Sequence, residues 1–139
     1  DPAARAAANG VTVSVTLVAA TDGGSAIRAT FTPDMPGFHL YSVDLPDGGV
    51  DGLGIPTRLS VRGDLTATGS PTAGVSTRLL RPAGLTVDLP VYPDGAVTLT
   101  LPVRRTGSHQ ADVIVSYGAC SENRCLVPVR GQALHLALD

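Results

Sequence analysis

The chain has no lysine, no tryptophan and only one glutamate, and just 4% of its residues are aromatic. All ten cationic side chains are arginines, and with twelve acidic residues they give a formal net charge of −2. Without a basic cluster, the composition argues against a nucleic-acid partner. No run of 18 apolar residues is present, so the sequence predicts no transmembrane segment.

Strong helix formers are scarce, whereas 16 glycines and 11 prolines are present, and this balance favours strands and turns. Short runs alternate between apolar and polar residues, as expected of half-buried strands. They lie at residues 11–17, 26–31, 38–43, 57–61, 85–89, 96–103, 111–117 and 134–138. Their spacing of about 8–12 residues predicts an all-β antiparallel sandwich.

The chain is long enough for one domain, and 43% hydrophobic residues suffice for a core. Residues 1–10 are rich in alanine and show no strand alternation, so we expect a flexible N-terminal segment there. Residues 11–139 are then expected to form a single domain. Within it, residues 44–56 predict a loop, and residues 63–84 show the weakest pattern.

The two cysteines, Cys120 and Cys125, are separated by four residues. They can pair with each other, pair with a partner protein or share a metal ion. A disulfide over so short a loop adds about 2 kcal/mol, against about 4.7 for a hundred-residue loop. A reversible dithiol switch and a purely structural hairpin disulfide both fit this spacing. No metal site is predicted, because the three histidines show no ligand spacing to the cysteines.

Three blocks of sequence resemble the N-terminal periplasmic domain of the DsbD thiol:disulfide interchange proteins. They are PGFHLYS at 36–42, VYPDGAVTLTLPV at 91–103 and YGACSENRCLVP at 117–128. The order and spacing of the blocks match over residues 36–129. The resemblance implies an immunoglobulin-like β-sandwich, in agreement with the strand pattern.

The resemblance also implies a function. The chain would be a thiol–disulfide oxidoreductase of the protein-disulfide reductase type that needs no cofactor. It would take reducing equivalents from a membrane-embedded thiol transporter or a thioredoxin-like protein and pass them to oxidised extracytoplasmic proteins. Its location would be extracytoplasmic, with membrane tethering through segments outside this chain. The alternative is an immunoglobulin-like binding or assembly module whose disulfide only fixes a hairpin.

The resemblance assigns roles to the two sulfurs. Cys125 would form the mixed disulfide with a partner, and Cys120 would resolve it. Arg124 would favour the thiolate of the adjacent Cys125, and Glu122 would disfavour the thiolate of the nearer sulfur. Solvated turn charges are the simpler interpretation of Arg124 and Glu122.

Three further side chains are candidates for lining the site. His39 and Tyr41 share one strand face, and the resemblance places that strand near the cysteines. Ordinary packing is the alternative for both, and also for Tyr117. The chain departs from the best-known family member in having one residue fewer between its cysteines. It also has no aromatic residue at 63–84, where a cap should cover the disulfide, so Leu79 and Leu80 are the candidate shields.

Overall fold

The computed structural model describes residues 1–81 and 84–138, and in these residues the chain forms thirteen strands and no helix. The strands are β1 Ala3–Ala8, β2 Val11–Ala19, β3 Ser25–Pro33, β4 His39–Leu40, β5 Arg58–Gly63, β6 Leu65–Ala67, β7 Thr72–Ala73, β8 Arg78–Leu80, β9 Leu89–Val91, β10 Val97–Arg105, β11 Gln110–Tyr117, β12 Ala119–Cys120 and β13 Val129–Ala137. No membrane-spanning helix is found among the described residues.

Two antiparallel sheets make the body of the fold. The larger sheet has the order β1-β2-β3-β10-β6, with β7 also pairing with β10, and the smaller has the order β13-β11-β5. Their inner faces share one hydrophobic core. Phe31 of β3 meets Tyr117 of β11 edge to face, with ring centroids 5.9 Å apart. The immunoglobulin-like β-sandwich expected from the sequence is confirmed.

Period-two alternation explains which side chains enter the core. Along β2 the buried residues are Val11, Val13, Val15 and Leu17, and the polar residues between them face outward. Strands β10 and β11 follow the same rule. Because successive side chains of a strand point to opposite faces, this pattern fixes the face of each strand that packs inward.

A smaller layer at one end of the sandwich carries the cysteines. Here β12 pairs with β4, and β8 pairs with β9. Backbone hydrogen bonds from β4 and the residues after it join the two pairs. The Leu40 carbonyl accepts from the Tyr92 amide, and the Ser42 amide donates to the Pro90 carbonyl, both at 2.9 Å. A second hydrophobic cluster fills this end and contains Tyr41, Leu45, Leu89, Val91 and Cys120.

The expectation of a flexible segment at residues 1–10 is corrected by the structure. β1 pairs with β2 in antiparallel register from Ala3 to Ala8, and the Tyr117 hydroxyl donates to the Ala8 carbonyl at 2.8 Å. Alanines give no alternation signal, but their backbone groups pair like any others. The missed signal is Asn9-Gly10, whose φ values of 49° and 81° fit a two-residue hairpin turn. The assignment of residues 11–139 to a single domain stays a prediction.

Other strand boundaries also moved. The run predicted at 38–43 forms regular strand only in β4, and the run predicted at 85–89 begins at Leu89 and continues through Val91. The weakly patterned stretch 63–84, of which residues 82 and 83 lie outside the described residues, contributes β6, β7 and β8. These strands are two or three residues long, too short for alternation to be recognised in the sequence.

The alternation in β3 makes a direct prediction about stability. Phe31 is 0% exposed, whereas its neighbour Thr32 faces solvent. We expect Phe31→Ala to lower the free energy of unfolding by about 3–5 kcal/mol, because it removes buried apolar surface and leaves a cavity. The matched control Thr32→Ala should stay within about 0.5 kcal/mol of the parent. Urea titration measures both, and similar losses in the two variants would contradict the assigned strand faces.

Candidate functional site

The two cysteines face each other across a short hairpin. Cys120 ends β12, and Cys125 lies opposite it as an isolated antiparallel bridge. On the turn side of the pair, the Ser121 amide donates to the Arg124 carbonyl at 2.8 Å. On the other side, the Leu126 amide donates to the Ala119 carbonyl at 2.9 Å. Backbone hydrogen bonds therefore close the hairpin on both sides of the sulfurs.

A disulfide joins Cys120 to Cys125, with their Cα atoms 4.0 Å apart. The two residues have very different surroundings. Cys120 is 4% exposed and belongs to the second hydrophobic cluster, whereas Cys125 is exposed at the surface. An incoming thiolate from another protein can therefore reach the Cys125 sulfur more readily than the Cys120 sulfur.

Tyr41 touches the buried end of the disulfide. Its hydroxyl donates to Cys120 Sγ at 3.4 Å, and the residue is only 5% exposed. Burial raises the pKa of Tyr41 above its ordinary value, so the hydroxyl keeps its proton at neutral pH. The donor is in place to stabilise negative charge on Cys120 if the disulfide opens.

His39 lies directly opposite Cys120 in the register of β4 and β12. It is 1% exposed, and its ring meets that of Tyr41 nearly at right angles, with centroids 6.4 Å apart. Nδ1 lies 3.2 Å from Asp94 Oδ1. Burial lowers the pKa of His39, and the nearby Asp94 carboxylate only partly opposes this. Nε2 is buried and has no hydrogen-bond partner among the described residues.

An open apolar groove runs beside the disulfide. Its volume is about 450 Å³, and the hairpin turn from Ser121 to Cys125 forms one wall. The other lining residues are Tyr41, Leu53, Gly54, Leu80, Leu85 and Leu89. Of the two expected shields, Leu80 lines the groove, whereas Leu79 does not and is 68% exposed.

Leu53, Leu85 and Leu89 line the groove although no sequence pattern marks them as site residues. Leu53 belongs to a loop, and only a glycine beside it allows the loop to approach the site. A Cβ on Gly54, whose φ is +86°, would lie 2.9 Å from Leu45 and 3.3 Å from the Tyr41 ring. A Cβ on Gly49 would overlap the Leu53 carbonyl, whereas Gly48 and Gly52 have open space around them, so two of the four glycines of residues 44–56 are required by close packing.

The two charged residues of the turn also line the groove. Glu122 is exposed. The Arg124 guanidinium lies 5.4 Å from the centroid of the Phe38 ring and donates to Met35 Sδ at 3.5 Å. The Arg124 side chain is therefore positioned by a cation–π contact with Phe38 and a hydrogen bond to Met35. Neither contact was expected from the sequence.

Tyr117 is not among the groove residues. Its ring packs in the main core against Phe31, and its hydroxyl is hydrogen-bonded to β1. The packing role that the sequence also allowed is the one that the structure shows. In the part of the chain that the structure describes, no group of three or more His, Cys, Asp or Glu side chains is placed to hold a metal ion.

Comparison with known proteins identifies the fold. No known family profile and no curated protein sequence matches the chain. The N-terminal periplasmic domain of ScsB from Proteus mirabilis matches with a TM-score of 0.62 and 17% identity, over 94% of this chain. The match covers 47% of the ScsB chain, so the present chain spans about half the length of that structure.

A second solved structure, the N-terminal domain of DsbD from Neisseria meningitidis in the reduced form, matches with a TM-score of 0.51. The identity is 16%, and the match covers 88% of each chain. At these identities the likeness establishes the fold. The chain thus has the fold of the DsbD-type N-terminal domain that its three sequence blocks resemble.

The buried imidazole of His39 gives the fold a pH dependence. Its pKa is lowered in the folded protein, so between that value and about 6.5 the unfolded chain binds the proton more tightly. The contribution of the neutral His39 imidazole to stability is fully present above the pKa that His39 has in the unfolded chain. It is lost as the pH falls through the lower pKa that His39 has in the folded protein. We expect the free energy of unfolding to drop between about pH 7.5 and pH 5.5, and to drop less in His39→Gln.

Urea titrations at the two pH values measure this difference. His135→Gln is the matched control, because that ring also contacts an aspartate, Asp112, at 3.1 Å, but is 60% exposed. The control should not reduce the drop in stability between the two pH values. An unchanged pH dependence in His39→Gln would contradict the assignment of a neutral, buried imidazole.

Proposed function

We propose that this protein is a thiol–disulfide exchange module that relays reducing equivalents through a reversible Cys120–Cys125 disulfide. The observation that carries the proposal is the unequal exposure of the two cysteines in a hairpin beside an apolar groove. One sulfur is open to a partner, the other is sheltered next to a hydrogen-bond donor, and the groove offers a surface on which a partner can dock.

The hairpin favours reversibility. A bridge between residues five positions apart adds only about 2 kcal/mol through loop entropy. The hydrogen bonds at Ser121 and Leu126 remain available when the sulfurs separate. Reduction therefore costs the fold little, in contrast to a disulfide that links distant parts of a chain.

Reduction of the module begins at Cys125. A partner thiolate attacks Cys125 Sγ, the sulfur–sulfur bond breaks, and its electron pair leaves on Cys120, where the Tyr41 hydroxyl stabilises the charge. A second thiolate of the partner then attacks the partner's own sulfur in the mixed disulfide and releases Cys125. The partner ends as a disulfide, and the module gains two electrons and, once its sulfurs are protonated, two protons.

Delivery to a client runs in the opposite direction. The Cys125 thiolate attacks a disulfide of the client, and one client sulfur leaves as a thiolate. Cys120 then loses its proton and attacks Cys125 Sγ in the mixed disulfide. The Cys120–Cys125 bond forms again, and the client leaves as a dithiol.

The proposed donor is a membrane-embedded thiol transporter or a thioredoxin-like protein, and the proposed clients are oxidised extracytoplasmic proteins. Support comes from the two solved structures of the same fold, of which the ScsB domain is described as periplasmic. The DsbD domain is described in a reduced form, which is the second state that a relay needs. Thiol chemistry of this kind needs no cofactor, because the sulfurs themselves carry the electrons.

The reduction potential tests the proposed function. We expect a value of about −270 to −120 mV, within reach of thioredoxin-like donors, with the fold intact in both states. Equilibration in glutathione and dithiothreitol buffers, followed by alkylation of free thiols and mass analysis, measures it. A potential below about −300 mV, or unfolding on reduction, would make the disulfide structural and favour a binding or assembly module.

Single-cysteine variants test the assignment of the two sulfurs. Cys120→Ser leaves the exposed Cys125, which should form a mixed disulfide with a thioredoxin-like partner. Cys125→Ser leaves the buried Cys120, which should react at least about tenfold more slowly. The rate of reaction with a small aromatic disulfide provides a partner-independent readout. Equal rates, or a faster Cys120, would reverse the assignment.

A further inference from the structure

His39 is a buried titratable side chain that the exchange steps above leave unused. It is 1% exposed, and it stands opposite Cys120 in the register of two paired strands. Side chains of directly opposed residues lie on the same face of a sheet, with Cβ atoms about 4.5–5.5 Å apart. The imidazole and the Cys120 thiol are therefore neighbours once the disulfide opens.

Asp94 determines which nitrogen of the His39 ring carries the proton. A carboxylate accepts hydrogen bonds, so the proton of the neutral imidazole lies on Nδ1, which is 3.2 Å from Asp94 Oδ1. Nε2 is left as an acceptor, and this atom is buried with no partner among the described residues. Buried polar atoms without a partner are uncommon, and this one belongs to a ring whose residue stands opposite Cys120 in the register of β4 and β12, which points to a role in another state of the site.

We propose that His39 is the proton acceptor for Cys120 in the reduced protein, an inference that rests on the proposed function. Nε2 takes the proton from the Cys120 thiol, so that a sulfur–hydrogen bond breaks, a nitrogen–hydrogen bond forms and the electron pair stays on sulfur. The resulting thiolate then attacks Cys125 in the mixed disulfide with the client. The leaving client thiolate takes this proton from the imidazolium, directly or through a water molecule, and His39 returns to the neutral state.

The groups around His39 favour this transfer only after reduction. Burial opposes the imidazolium, as does the positive charge of Arg78, which is bonded to Asp94 at 3.3 Å. The carboxylates of Asp94 and Glu122 favour it. Tyr41 is neutral and donates to Cys120. With the disulfide closed the ring is neutral and able to accept, and a new thiolate beside it supplies the charge that stabilises the imidazolium.

The test begins with Cys125→Ser, in which Cys120 is the single free thiol. The ultraviolet absorbance of the thiolate, followed against pH, reports its ionisation. Adding His39→Gln should move the ionisation of Cys120 upward by about one pH unit, leaving about tenfold less thiolate at neutral pH. The matched control adds His135→Gln instead and should leave the titration unchanged. Identical titrations with and without His39 would overturn the inference.

A measurement on the unmutated protein covers the case in which His39→Gln does not fold. Nuclear magnetic resonance titration of the His39 ring should give a higher pKa in the dithiothreitol-reduced protein than in the oxidised protein. Equal values would also overturn the inference. A reduction potential in the structural range would exclude the proposed relay, but the pKa of His39 could still be compared between the oxidised and reduced protein. A reduction potential within the relay range, together with an unchanged pKa of His39, would exclude the role of His39 and leave the proposed relay standing.

Discussion

The register of β4 against β12 is the constraint on which the candidate site depends. It sets His39 opposite Cys120 and brings Tyr41, two residues along the same face, onto the Cys120 sulfur. A slip of one residue would turn these side chains to the other face of the strand. Leu40, whose carbonyl binds the Tyr92 amide, helps to fix the register by tying β4 to the segment after β9. The chemistry around the disulfide is thus set by backbone pairing.

The same arrangement makes the disulfide asymmetric. Cys120 belongs to a regular strand and packs in a hydrophobic cluster, whereas Cys125 follows a turn and faces solvent. Exchange of thiols requires both an accessible sulfur and a leaving sulfur whose charge is stabilised. In this hairpin the two requirements fall on different residues. No helix occurs among the described residues, so hydrogen-bond donors and charges around Cys120 must supply the stabilisation.

Much of the sandwich follows from local pattern. Strands such as β2 and β10 alternate so regularly that their buried faces can be identified in the sequence. The spacing of the cysteines requires a tight turn between them only if they pair with each other. The strand β1 was missed because alanines carry no hydrophobic signal, although Asn9-Gly10 marks its turn. Asp94 was missed because its contact with His39 spans 55 positions. Such long-range contacts depend on how β4 and the loop after β9 meet, which no local pattern encodes.

The groove adds an argument about partner choice. Its apolar part consists mainly of leucines, and Leu53 and Leu85 come from loops with no aromatic residue at their tips. Burial of leucine side chains against a partner is favourable, but it distinguishes poorly between apolar partners because leucines make no directional contacts. The hydrogen-bonding and charged groups at this rim belong to the turn from Ser121 to Arg124, and Arg124 is already engaged by Phe38 and Met35. Within the proposed relay, discrimination between partners would therefore depend on the turn next to Cys125 more than on the groove floor.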